Sequence, residues 1–183
     1  ADVVRALIAV GADINATTAY GYFPLAQAAE GGHVEAVKAL LDAGADVNRR
    51  VKDSGTALSA AVERGRDAVV ELLLARGARV DDTGETYSPP LHSAASAGHV
   101  KIVQMLLKAG APVNLLNERG DTALDWALSN GKTDAADSLR KAGGLPAHKI
   151  FTPERVNILI RQLGARTFAE RQAAQKELEA MRL

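Results

Sequence analysis

Tyr87-Ser-Pro-Pro-Leu91-His-Ser-Ala-Ala-Ser-Ala-Gly98-His-Val-Lys-Ile-Val-Gln-Met-Leu-Leu-Lys-Ala-Gly110-Ala-Pro-Val-Asn114 contains two short helical patterns back to back. Gly98 separates them and Gly110 closes the second. Neither pattern is long enough to bury its apolar face by itself. The same phrase returns on both sides of this one. Leu25, Leu58, Leu91 and Leu124 are each 33 residues apart, and Gly11, Gly44, Gly77, Gly110 and Gly143 keep the same step. A unit that cannot bury its own face, repeated at a fixed period, buries it against copies of itself.

Working outward, residues 51–83 form a less regular copy. Ser54 stands where the pattern has Gly, Ala57 where it has Pro, and Gly65-Arg66 where it has Gly-His. Val69, Val70, Leu72, Leu73 and Leu74 still mark a second helix. In residues 18–50 Gly21 and Pro24 open the first helix, and Leu25, Ala28 and Ala29 give its buried side. Pro24 suits a first helical turn, where a missing N–H costs nothing. Downstream, residues 117–144 end in a helix where Ala135, Ala136 and Leu139 alternate with Asp134, Asp137, Ser138 and Arg140. A more polar last helix suits the end of a stack. Residues 1–16 are the second half of a repeat, so the stripe Val3, Val4, Leu7, Ile8 is expected to be exposed on one side, and the chain to be a fragment of a longer protein.

Pro-Leu-His, Ala-Ala, Gly-His and Gly-Ala-x-Val-Asn at a period of 33 resemble the ankyrin repeat, over residues 1–144. The resemblance implies an all-α ankyrin-type solenoid: one half and four full repeats with hairpin-like loops. It further implies a concave face of loop tips and first helices, with His33, His92 and His99 hydrogen-bonding between loops and neighbouring repeats. After Gly143-Gly144 the period stops, and Gly-Gly-Leu145-Pro146 marks a boundary between a domain of residues 1–144 and a second segment of residues 145–183. There Thr152-Pro153-Glu154 reads as a helix start, followed by Val156, Leu159, Ile160 and Leu163. Thr167 and Glu170 form a capping-box pattern ahead of Ala174, Leu178 and Met181. A C-terminal helical hairpin follows, expected to dock on repeat four near Trp126 and Leu139. Its phrase from Leu163 to Leu178 is similar to the start of a HEAT-type helical repeat, over one unit.

Little in the chain carries catalytic chemistry. His33, His92, His99 and His148 have no metal-ligand spacing, and there is no Cys. No Gly-x-Ser-x-Gly elbow occurs, and Gly131-Lys132-Thr133 has no Gly five positions upstream to make a phosphate loop. No catalytic residue, metal site, cofactor or small-molecule substrate is expected. The formal net charge is zero; 7 of 22 basic and 4 of 22 acidic residues follow residue 144. Neither half is charged enough to argue for nucleic acid. No apolar run reaches the ~20 residues of a membrane span. The compartment is left open, the cytoplasm being the default expectation.

The non-repeating positions carry the functional expectation. At the loop tips and adjoining first-helix positions stand Ala19, Tyr20, Tyr22 and Glu30; Lys52, Asp53, Gly55, Glu63 and Arg64; Glu85, Thr86, Ser88, Ser96 and Ala97; and Glu118, Arg119, Asp121, Ser129 and Asn130. Aligned on a stiff stack they offer a preorganised surface for a protein partner, with aromatic and Arg contacts of the kind interfaces favour. Trp126 shares its repeat position with Gln27, Ala60 and Ser93, and burial between stacked helices is expected for it over a role as a binding anchor. The expected function is a non-catalytic protein-interaction module. The alternative is a regulatory or substrate-recruiting region of a larger enzyme whose catalytic part lies elsewhere.

Overall fold

The structure is a computed structural model that describes residues 2–19, 21–50, 55–81 and 88–150, together with Thr152, Gln172, Gln175 and Lys176. Within them the chain is helical, with no β-strand. Helix α1 (Asp2–Ala9) stands without a partner in its own repeat. Four helix pairs follow: α2 (Pro24–Gly31) with α3 (Val34–Asp42), α4 (Ala57–Glu63) with α5 (Asp67–Ala75), α6 (Pro90–Ala97) with α7 (Val100–Lys108), and α8 (Ala123–Ser129) with α9 (Thr133–Lys141). A single turn, α10 (Ala147–Ile150), comes last.

The first helices begin in two chemically different ways. In repeats one and three, Pro24 and Pro90 supply a fixed φ at the first turn, with no side-chain cap. In repeats two and four, Thr56 and Thr122 act as N-caps. Thr56 Oγ1 accepts from Ser59 N at 3.2 Å while Thr56 N donates to Ser59 Oγ at 2.9 Å. Thr122 and Asp125 form the same reciprocal pair at 3.2 and 3.0 Å. Two of the helix's orphan N–H groups are satisfied each time.

The 33-residue period becomes vertical columns. Leu25, Leu58, Leu91 and Leu124 are at most 2% exposed, and Leu40, Leu73, Leu106 and Leu139 at most 3%. Each such side chain removed from water is worth roughly 1.5–3 kcal/mol. Ala61, Ala94 and Ala127 form a column of small residues that lets first helices approach closely. First helices pack on first helices and second on second, so the stack has two layers. Exposed ion pairs at a step of 34 residues run along it: Glu30 with Arg64, Asp42 with Arg76, and Asp67 with Lys101. At the upstream end Val3 and Leu7 are 72% and 51% exposed, as the half-repeat predicts, and Val10 joins them at 81%.

Loops are tied across repeats by asparagine. Asn48 Nδ2 donates to the Gly77 carbonyl at 3.1 Å, and its Oδ1 accepts from Arg79 N at 2.8 Å. Asn114 does the same to Gly143 O (3.2 Å) and Leu145 N (2.7 Å). The repeat geometry therefore reaches one residue past Gly144. Ala147 N then donates to Asp125 Oδ2 at 2.8 Å, and Ile150 is buried, so residues 145–150 lie on repeat four. Apart from Thr152, Gln172, Gln175 and Lys176, the helical hairpin expected at 152–183 and its HEAT-type phrase lie outside the described residues.

Candidate functional site

The first helices and the loops ahead of them share one side of the stack. Tyr20, Lys52, Asp53, Glu85 and Thr86, five of the expected contact residues, lie outside the described residues. Tyr22 is half-exposed on the repeat-one loop, and its backbone N donates to Thr18 Oγ1 at 3.1 Å. Ser88 is half-buried ahead of Pro89, and Glu118 is exposed on the repeat-four loop.

Glu30, Glu63 and Arg64 are brought together. Arg64 donates from Nε and Nη2 to Glu30 Oε1 at 3.1 and 2.7 Å, and Arg66 Nε donates to the Glu30 carbonyl at 2.9 Å. Glu63 still presents surface to solvent, yet surrounding protein displaces enough water to push its carboxyl above the usual range; Arg64 opposes the shift and Glu30 adds to it. One residue here escaped sequence reasoning. Arg49 donates to Thr17 Oγ1 at 2.7 Å, and its guanidinium carbon lies 5.6 Å from the Phe23 ring centroid. The residues one and two periods on are Asp82 and Leu115, so no pattern marks it.

At the other end, Asn117 shapes the loop of repeat four: its Oδ1 accepts from Arg119 N at 2.9 Å and from Asp121 N at 3.0 Å. His92, buried in α6, meets the Asp121 carbonyl through Nε2 at 3.0 Å. Burial pushes its imidazole pKa down, against the pull of that carbonyl and of the Asp121 and Asp125 carboxylates. Its ring lies edge-on to Trp126, with centroids 5.8 Å apart and planes at 87°. Trp126 Nε1 points at Asp121 Oδ2, 3.4 Å away.

Trp126 is not buried between helices, contrary to expectation. It is half-exposed and lines an open recess of about 360 Å3 with Ser96, Arg119, Asp121, Asp125, Ser129 and Asn130. It follows Leu124 by two residues, which places it about 200° around the helix from the buried column. Gln27, at the same position in repeat one, is likewise exposed. Apart from Ser96 and Ser129, which stand one period apart, the residues of the recess do not recur. A second, apolar recess of about 500 Å3 lies between α1 and α2, lined by Leu7, Ile8, Ile14, Ala28 and Leu40 among others.

Among the described residues no three His, Asp or Glu side chains are placed to hold a metal ion, and no helix is long and apolar enough to cross a membrane. Two family descriptions match the sequence: ankyrin repeats (3 copies) over residues 1–84 and ankyrin repeats (many copies) over residues 91–139. The chain belongs to the ankyrin repeat family. Ankyrin repeats are in general protein–protein interaction modules and not catalysts. The pairwise helices, the Leu columns and the asparagine ties are thus the ankyrin stack of this chain. A search of curated proteins finds no match.

Proposed function

We propose that this ankyrin stack is a non-catalytic module that binds a protein partner on its concave side, formed by the first helices and loop tips. One observation carries the reading. Positions that face neighbouring repeats recur every 33 residues, whereas Arg119, Asp121 and Asn130, which line the recess beside Trp126, do not. Packing accounts for the first set and leaves the second free to be chosen for recognition. A stack that is already rigid loses little entropy when a partner docks. The chain divides into an ankyrin unit, residues 1–144, and a following segment, residues 145–183, whose Leu145 and Ala147 bond back to Asn114 of repeat three and Asp125 of repeat four.

Photo-crosslinking tests the face. A photoreactive side chain in place of Tyr22, Glu63 or Ser129 is expected to capture a partner in cell extract. The same group in place of Lys38, Glu71 or Gln104, on the second helices, is expected to capture none. Adducts from the second-helix set alone would assign binding to the opposite side.

A further inference from the structure

We infer that the recess beside Trp126 is a seat for one guanidinium, the side chain of an arginine presented by the partner protein. The inference rests on the concave-side reading above and names the chemistry of one contact within it. At about 360 Å3 the recess is at the small end for a ligand pocket and ample for a single long side chain. Its aromatic surface is the half-exposed Trp126 indole, braced edge-on by His92. Its charged lining is two carboxylates, Asp121 and Asp125, against one cation, Arg119. Asp125 Oδ2 accepts from Thr122 N, Thr122 Oγ1 and Ala147 N at 2.8–3.0 Å, which fixes that wall. Asp121 Oδ2 has a long 3.4 Å bond to the indole N–H, so the carboxylate and the ring edge sit side by side.

A carboxylate beside an indole is a site for a cation that is also flat. A guanidinium stacks on the ring, is held by cation–π attraction, and donates two parallel N–H bonds to one carboxylate. An ammonium gains only part of this, since it is more strongly hydrated and has no planar fork. An acidic side chain would face two carboxylates. A bulky apolar one would strand the polar rim without hydrogen bonds. Arg119, exposed on the loop tip, is a like charge at the edge of the seat and weakens it.

Trp126 is the only Trp in the chain, so its emission reports this recess alone. The full chain is titrated with the blocked tripeptide acetyl-Gly-Arg-Gly-amide, and with its Lys and Glu counterparts. The Arg peptide is expected to change the emission saturably, with Kd on the order of 1–10 mM, as suits one side chain. The Lys peptide binds at least threefold more weakly, and the Glu peptide gives no saturable change. Asp121→Asn weakens the Arg peptide at least fivefold, with helical content by circular dichroism confirming the fold. Arg119→Ala, at an exposed tip, tightens it about twofold or more. No saturable change with the Arg peptide, or equal binding of the Glu peptide, overturns the seat. The crosslinking experiment is independent of charge: adducts on the concave side with an indifferent Trp126 would sink the seat and leave the face standing.

Discussion

His92 of repeat three is hydrogen-bonded through Nε2 to the Asp121 carbonyl of repeat four, 3.0 Å away, and is buried there. The bond ties two repeats together beside the Trp126 recess; the bond itself favours the imidazolium, but burial disfavours it more and keeps the ring pKa low.

The pH dependence follows from that burial. The His92 pKa is lower in the folded chain than the unfolded value of about 6.5. The unfolded state therefore binds more protons between those two values. Stability is full above about pH 6.5 and falls as the pH drops through that value toward the folded pKa. Thermal melts followed by Trp126 emission between pH 8 and 5 are expected to show this loss. His92→Gln, which cannot charge, is expected to show a shallower one. Equal slopes in the two proteins would exclude His92 as the cause.

Asp125 has two tasks, and its removal separates from the loss of a simple cap. Thr56→Ala removes one capping hydroxyl and is expected to cost about 1 kcal/mol. Asp125→Ala removes the capping carboxylate and also the acceptor of the Ala147 N–H. Hydrogen exchange at Ala147 is expected to accelerate in Asp125→Ala and to stay unchanged in Thr56→Ala. The same exchange rate at Ala147 in both variants would detach residues 145–150 from α8.

Gly65 and Gly131 share a φ of +65°, so Ala at either position bears the same backbone strain, about 1–2 kcal/mol. They differ in surroundings. A Cβ at Gly65 would come within 2.7 Å of the His99 ring, whereas one at Gly131 meets nothing within 4 Å. Gly65→Ala is expected to destabilise more, and adding His99→Ala to relieve part of the excess. Urea melts of the two single variants check this, and equal midpoints would refute it.

Leu73 is fully buried at the centre of the stack, and Leu128 is 45% exposed on the last first-helix. Leu73→Ala leaves a cavity lined by neighbouring repeats and is expected to cost about 2–5 kcal/mol. Leu128→Ala is expected to cost well under half as much. A large loss at Leu128 would mean that this side chain is covered in solution.

Residues that face one another across a repeat boundary were legible in the sequence, because stacking forces the same choice every 33 residues. The columns headed by Leu25 and Leu40 stand out for that reason. Residues that do not repeat gave identity without placement. Arg49 anchors a loop through Phe23 and Thr17, and its sequence neighbours give no sign of it. The expectation that Trp126 is buried rests on reading the position it shares with Gln27, Ala60 and Ser93 as an inward one, and its angular offset from the buried Leu124 argues against that reading. Of the candidate surface, the recess around Arg119 and Asp121 took shape only once the loop held by Asn117 was folded.

The asparagine ties make the solenoid a spring with unequal couplings. Asn48 and Asn114 each bridge to the following loop by a donated and an accepted bond. One period after Asn48 stands Asp81, and one period after Arg79 stands Pro112. An ionised aspartate has no hydrogen to give a carbonyl, and a proline nitrogen has none to give back. Among the described residues the joint between repeats two and three thus lacks the double stitch and is held by helix packing and the exposed Asp67–Lys101 pair. Among the four full repeats, flexing is expected to be easiest at that joint, between α5 and α7. Asp81→Asn with Pro112→Ala would restore both hydrogens, and a spin-label distance distribution across that joint would then narrow.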